Sequence, residues 1–382
     1  MPLLFDLDPL TCCQTDHVLD GLYKALGEQP EADIWQPHHD PWQRDHIEAV
    51  TQRGLARLDA IRVALMMALP EEPLSKADAP WLRWSQADFD RVRDYLRSKP
   101  SAAFTLDDWM LYADWLIQEY LPDGVIDSEA EYLTVRAHIA GKVNATLEAR
   151  KLKPSQISAI LAVLPHQLGG IPSGVLSERQ AHILRFAHRE TANLITALTS
   201  QTRQQMKGVL INGIRRITLG DKKGTWQTLH SELLDTFGNL NRDWRRIAIT
   251  ETGNATNVGY LSTLTPGSKV RREEAYRGAC PFCQSIRGRV LTVVSDGHEP
   301  KDWDTEVWPS KSNIGRSASP RKRVGSALVP RAPDELWSIP AGTVHAHCRG
   351  SWSNADHAPI VNNEYQMWLR GLLVEAGLPA VV

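Results

Sequence analysis

Hydrophobic positions recur with a helical period over most of the first 265 residues. Between Trp42 and Leu69, the residues Ile47, Val50, Leu55, Leu58, Ile61 and Leu65 return at three- to five-residue steps, and Pro70 ends the run. This spacing predicts a helix, followed by a Pro-rich connector over 70–80. Ser85 before Asp88, Thr105 before Asp108 and Ser128 before Glu131 then predict three helix starts. In each, a hydroxyl can accept from a first-turn N–H, and an acid sits near the positive helix end. Trp109, Met110, Ala113, Leu116, Ile117 and Tyr120 make the core stripe of the second.

Further along, Ile157 to Leu164 reads as a short apolar helix and Gly169-Gly170-Ile171-Pro172 as a hinge. Ser177 and Gln180 form a capping box. The apolar face of Ile183, Leu184, Ala187, Leu194, Ile195, Leu198 and Met206 predicts a helix of roughly 30 residues, about 45 Å long. Leu229, Leu233, Leu234 and Phe237 mark the next helix, and a further one is expected from near Asn241. After Thr265-Pro266-Gly267 the pattern changes. Val290, Leu291, Val293 and Val294 read as a strand, and 295–340 shows little periodicity.

The expected architecture is mostly α. A helical body with a long bundle helix precedes a small irregular α+β module, and the divisions fall at 1–172, 173–265 and 266–382, the last ending in a helix. The helical part is expected to fold by itself, because its caps, stripes and Pro punctuation agree.

With 382 residues, 42% of them hydrophobic and 23% charged, the chain can bury a sizeable core and is not wholly disordered. Its formal net charge of −2 excludes a globally basic nucleic-acid binder but not a local basic segment. No apolar run is long enough to suggest a membrane span, and the start lacks the basic region of a secretory signal. The cytoplasm is therefore the expected place of synthesis. Five cysteines are too few for a disulfide-stapled scaffold. Cys12 and Cys13 read as ordinary small residues, and His38, His39 and Asp40 as a polar turn between prolines.

Candidate chemistry concentrates in the C-terminal module. Cys280-Pro281-Phe282-Cys283 can form a knuckle that presents two thiolates to one tetrahedral ion. His345-Ala346-His347-Cys348-Arg349 supplies Cys348 and one histidine, either His345 or His347, to complete four-coordination. The expected cofactor is structural zinc. A pair of buried free thiols is the alternative; a redox pair would need a thioredoxin-like βαβ context, which is absent.

These residues carry a family resemblance. Arg246-Ile247-Ala248-Ile249-Thr250-Glu251, Asn254, Ala255 and Asn257, then Cys280-x-x-Cys283, Gly288-Arg289-Val290 and His345-x-x-Cys348-Arg349 resemble the Mu-F-like phage head morphogenesis family. The resemblance spans roughly 175–352, and it is the ordered combination that is specific. It differs at Ala346, where the family has Pro, and at Gly350, where it has a last Cys. The resemblance implies that His345 is the family's histidine. It also implies a minor head (minor capsid) protein of the virion, joining the portal in viral capsid assembly. The implied partners are the portal protein and the major capsid or scaffolding protein, with no membrane.

Glu251 lacks a second acid at motif spacing, so a structural role is expected, paired with Arg245 or Arg246 or accepting backbone N–H groups. Lys311, Arg316, Arg321, Lys322, Arg323 and Arg331 occur without an acid among Ser, Gly and Pro, which predicts a flexible basic loop. Such a loop can touch packaged DNA through phosphates, or an acidic protein surface. The expectation is therefore an interaction protein and not an enzyme. The alternatives are a metal-dependent nuclease using Asp296, His298, His345 and His347, and a DNA-binding regulator, for which no recognition-helix module is visible.

Overall fold

A computed structural model describes residues 38–68, 84–221, 224–274, 276, 279–346, 348–355 and 361–380. The expectations for Cys12, Cys13 and the 70–80 connector lie outside the described residues, as does His347. The protein is mostly helical, with a small sheet region near its C-terminal end. Among the described residues the helices are α1 (Pro41–Ala68), α2 (Gln86–Arg97), α3 (Leu106–Tyr120), α4 (Asp123–Leu147) and α5 (Pro154–Val163). They continue with α6 (Glu178–Thr218), α7 (Trp226–Leu261), α8 (Pro281–Ile286) and α9 (Asn363–Glu375). No described helix is long and apolar enough to cross a membrane.

Local chemistry sets the helix starts. Ser85 and Thr105 each form a reciprocal box with Asp88 and Asp108. Ser177 and Gln180 do the same at α6, with Gln180 N donating to Ser177 Oγ at 3.2 Å and Ser177 N to Gln180 Oε1 at 3.1 Å. Three expectations are corrected. Ser128 is no cap: α4 begins at Asp123, directly after Pro122, whose carbonyl accepts from Val125 and Ile126. The two helices expected around Asn241 are one helix of 36 residues, which runs through Gly238 without a break. The long helix has 41 residues, not about 30.

The compact units are not the consecutive stretches read from the pattern. One unit takes the described residues up to Val50, then Glu131–Thr191, then those from Arg246 onward; the other takes Thr51–Ala130 and Ala192–Arg245. Each division falls inside a helix (α1, α4, α6 or α7), where no composition change marks it.

Within the second unit, buried acids are matched to cations. Glu129 accepts from Arg53 at 2.6 and 2.8 Å and from Arg57 at 2.7 Å. Asp114 takes Arg203 at 2.5 Å and Lys207 at 2.6 Å. Charges out of water require such pairing.

The first unit carries the site. In it α4 and α7 approach closely through glycines. A Cβ on Gly141 would lie 1.9 Å from the Thr256 carbonyl oxygen, and one on Gly259 would lie 2.1 Å from that of His138. A four-stranded sheet has the order β3-β2-β1-β6, from β1 (Lys269–Glu273), β2 (Val290–Val293), β3 (Glu306–Val307) and β6 (Ser351–Asn354). Strand β1 runs antiparallel to β2 and β6, and β2 runs parallel to β3. Tyr260, Leu261 and Leu264 from α7 and its end share one core with Val270, Cys283, Leu291, Val344, Cys348 and Trp352. A second core joins Trp42, Ile139, Val143, Ile157 and Ile160 to Tyr365, Leu369, Leu372 and Leu373 of α9. The Cys/His module and helical segments therefore share their cores, contrary to the expectation of an independently folding helical part.

The expected flexible basic loop is also corrected. Arg321–Val324 (β4) and Ala327–Pro330 (β5) form an antiparallel hairpin closed by Gly325-Ser326. Gly325 has φ +62, the left-handed region that a primed two-residue turn needs and that glycine adopts without steric cost.

Candidate metal centre

Four segments build the centre. Cys280 is the N-cap of α8, its sulfur accepting from Cys283 N at 3.4 Å, and Pro281 occupies the first helical turn, where it has no N–H to waste. This short turn puts both cysteine sulfurs on one side. The segment after Ile339 is fixed by α7: Asn254 Oδ1 accepts from Thr343 N and Oγ1, both at 2.8 Å, and Asn257 Nδ2 donates to Gly350 O at 2.8 Å. Gly342 gives the backbone its close approach, since a Cβ there would sit 2.4 Å from Asn254 Oδ1. Trp337 stacks on the His345 ring with centroids 5.5 Å apart, and Phe282 meets Trp337 edge-on. Strand β1 supplies the last wall.

His345 Nε2 lies 3.4 Å from both Cys280 Sγ and Cys283 Sγ, and Cys283 Sγ lies 3.9 Å from Cys348 Sγ. A tetrahedral ion bound to sulfur at about 2.3 Å and to imidazole nitrogen at about 2.0 Å spaces its ligand atoms about 3.5–3.8 Å apart. These three spacings are close to that figure, although Cys348 does not lie within 4.8 Å of both Cys280 and His345. The sulfur spacing is far from the roughly 2.0 Å of a disulfide, and all three cysteines are free. His345 Nδ1 lies 2.7 Å from the Ala346 carbonyl oxygen. The carbonyl can only accept, so Nδ1 is the donor there, and Nε2 is the ring nitrogen that faces the sulfurs. Cys280, Cys283, His345, Cys348 and Glu274 form a cluster that could hold a metal ion.

The cluster contains two triads sharing Cys283: Cys280–Cys283–His345 and Glu274–Cys283–Cys348. A cation already stands beside the second. Arg272, fully buried, donates from Nε to Glu274 Oε1 at 2.8 Å and places Nη2 3.8 Å from Cys348 Sγ. An ion is therefore best accommodated at the first triad, which Cys348 adjoins through Cys283.

The protonation pattern agrees with a site that exchanges protons for a metal. Burial raises the Cys348 thiol, but its contact with Cys283 and the charges of Arg272 and His345 outweigh that and hold it well below the usual thiol range. Contacts with Cys280 and Cys348, together with burial, push Cys283 up. Burial would lower His345, yet the Cys280 contact and the charges of Cys348 and Cys280 raise it to about 9.

Compared with protein-family models, curated proteins and solved structures, the chain matches none.

The remaining candidates fall into place around this centre or away from it. Arg246, Thr250 and Glu251 lie on α7. Thr250 Oγ1 donates to Arg246 O at 2.8 Å. The partner of Glu251 is Asn254, whose Nδ2 is 3.3 Å from both oxygens, and not the arginines suggested by the sequence. Burial, with Glu190 nearby, pushes its carboxyl up to about 7, against the lowering effect of Asn254. The nuclease residues are engaged separately. His345 faces the thiols, His298 Nε2 is 3.5 Å from Glu306, and Asp296 is paired with Arg179 and Ser310.

The six basic residues do not form one surface. Lys311 is 2% exposed, donates to the carbonyls of Trp303 and Glu306 at 2.7 Å each, and is lowered to about 8 by burial. It is a core residue and cannot reach a phosphate. Arg316 lies 3.8 Å over the Trp303 ring and donates to Leu336 O. Lys322 pairs with Glu335, and Arg331 is half-buried. Arg321 and Arg323 remain exposed, two positions apart on β4 and so on one face of the hairpin, with Leu328 opposite Arg323.

Sequence reasoning missed Arg272, Glu274 and Tyr276, whose hydroxyl is 3.8 Å from Cys348 Sγ. A signal was there. Val270, Arg272 and Glu274 alternate along one strand, so the charged pair points to the same face as a core valine. His38 and His39, read as a bare polar turn, stack on one another, and His39 stacks on Tyr276.

Proposed function

We propose that this chain is a minor head protein of a tailed bacteriophage that acts at the portal during head assembly, with a zinc ion as the structural staple of its C-terminal module. One observation carries the reading. The residues behind the resemblance are scattered from Arg246 to Gly350, yet Asn254, Asn257, Cys280, Cys283, His345 and Cys348 all meet at or around one centre. A small sheet with long connections holds its shape poorly without such a staple.

Cys280, Cys283, His345 and Cys348 would hold the ion. Three thiolates and one imidazole suit zinc, and with no position left for water the site is of the closed, structural kind. Under this reading the partners are the portal protein and the major capsid or scaffolding protein. The exposed Arg321 and Arg323 are the hairpin's contacts to packaged DNA, and the protein ends in the virion head.

The test is purification of the chain together with the portal protein of the same phage, with metal measured on the isolated chain. Stable co-purification and about one zinc per chain are expected. A folded, metal-free chain overturns the zinc assignment. A chain missing from both portal complexes and purified heads overturns the head assignment.

A further inference from the structure

Arg272 is an unusual neighbour for a metal centre. Its side chain is fully buried in the middle of β1 and every part of the guanidinium is used. Nε donates to Glu274 Oε1 at 2.8 Å, Nη1 donates to Gly342 O at 3.0 Å, Nη2 stands 3.8 Å from Cys348 Sγ, and the guanidinium carbon lies 5.1 Å over the Trp352 ring. Glu274 in turn has both oxygens within 3.9 Å of the same sulfur. A carboxylate and a thiolate at that separation repel strongly away from water, unless a cation lies between or beside them.

The chain keeps room for this arrangement. A Cβ on Gly350 would lie 2.0 Å from Glu274 Oε1 and 2.5 Å from Arg272 Nη2. Any side chain at 350 therefore has to displace the Arg272–Glu274 pair. Gly342, whose carbonyl anchors Nη1, is the glycine pressed against Asn254.

We infer that Arg272 is the positioning residue of the metal centre: its buried guanidinium, fixed by Glu274 and Gly342, stands beside Cys348 as the counter-charge of the loaded site, and Gly350 stays bare to admit it. This rests on the zinc reading above. A divalent ion with three thiolates carries one net negative charge, and the guanidinium is the cation that offsets it inside the core. Glu274 is the opposing arm. It orients Arg272 through Nε and at the same time draws on the charge that would otherwise act on Cys348.

The two residues of one ion pair should therefore act in opposite directions on the metal. The experiment compares the wild-type chain with Arg272→Met, Arg272→Lys, Glu274→Gln and Gly350→Ala. Zinc affinity is measured by competition with a chromophoric chelator, and the thiolate-to-metal absorption is measured after cobalt substitution. Loss of an outer-shell partner typically weakens metal binding about 10–100-fold. Arg272→Met is expected to fall in that range and to lose thiolate absorption. Arg272→Lys should recover part of both, because it restores the charge without the fork. Glu274→Gln should bind zinc as tightly as wild type or more tightly. Gly350→Ala should resemble Arg272→Met.

Equal weakening by Arg272→Met and Glu274→Gln would overturn the inference, because the pair would then act only as packing. Wild-type affinity and cobalt absorption in Arg272→Met would overturn it as well. Should Arg272→Met fail to fold, Arg272→Lys and Glu274→Gln decide: a lysine variant weaker than the glutamine variant supports the inference, and the reverse order refutes it. A wild-type chain that binds neither zinc nor cobalt is a different failure, that of the zinc reading itself.

Discussion

Replacing Gly141 or Gly259 by alanine should destabilise the protein, although both sit in helices where alanine is the better helix former. The two glycines lie where α4 and α7 meet. A Cβ at 141 would be 1.9 Å from Thr256 O and 2.8 Å from Tyr260 N, and one at 259 would be 2.1 Å from His138 O. Ordinary contact begins at 3.4 Å, so each methyl group intrudes by more than an ångström. The atoms it meets are backbone, which cannot turn aside as a side chain can. The helices must separate, and the apolar contacts that flank the crossing are lost with them. Overpacking in a tight core costs about 1–3 kcal/mol and sometimes more. Removing a helical glycine returns about 1 kcal/mol. The net loss expected is about 2 kcal/mol for each variant, given that the clash is at the severe end of that range.

Gly371→Ala is the internal control. It lies in α9, within the same compact unit, and nothing is within 4 Å of its added Cβ. Only the propensity term acts there, so stability should rise by about 0.5–1 kcal/mol. Urea unfolding at a fixed, saturating zinc concentration measures all three on one scale, since bound metal adds to apparent stability. Gly141→Ala and Gly259→Ala unfolding at or above the wild-type midpoint would refute the close crossing of α4 and α7.

Three further outcomes are expected. His46 is buried, with Nε2 2.9 Å from Leu133 O and no partner for Nδ1, and burial lowers it to about 4. The unfolded chain then binds more protons than the folded one between about pH 6.5 and 4, so stability is lost as pH falls through that window, by about 2 kcal/mol at pH 5. His46→Gln should abolish that part of the pH dependence in parallel urea titrations, and an unchanged profile would refute it. A chain ending at Pro266 should be molten or aggregated, because both cores of the first unit lose one wall; cooperative thermal melting of that fragment would show that they do not. Changing Arg321 and Arg323 together to Ala should flatten the log–log salt slope of duplex DNA binding by up to about 2, with zinc content unaltered, whereas an identical slope would remove the hairpin from any DNA contact.

What the sequence discloses about the fold is local. Ser85, Thr105 and Ser177 were readable as caps because the partner acid or amide lies three residues on, and the same reach decides the outcome in the structure. Ser128 fits that pattern equally well, but Pro122 and the turn after it start the helix earlier, so the serine falls inside α4. The compact units are hidden from the pattern for a related reason. Their divisions fall within continuous helices, at Val50, Ala130, Thr191 and Arg245, where periodicity carries straight through. Pattern reports which face of a helix is apolar and does not report which body that face packs against.

At the centre, the clustering of Cys280, Cys283, His345 and Cys348 was legible and its surroundings were not. Cysteines at knuckle spacing and a distant histidine and cysteine mark donors that could meet around one ion, whatever lies between them in the chain. Which cation and anion stand behind them depends on strand pairing. Arg272 and Glu274 read as surface charges in Arg271-Arg272-Glu273-Glu274 until β1 is placed between β2 and β6. Alternation then sends Arg271 and Glu273 to one face and Arg272 and Glu274 to the other, into the core with Val270. Gly350 shows the same dependence from the opposite side. In sequence it is a position where a ligand of the resembled family is missing. In the structure a Cβ there would enter the space of the Arg272–Glu274 pair, 2.0 Å from Glu274 Oε1 and 2.5 Å from Arg272 Nη2, so the bare position and the buried ion pair are a single feature of the site.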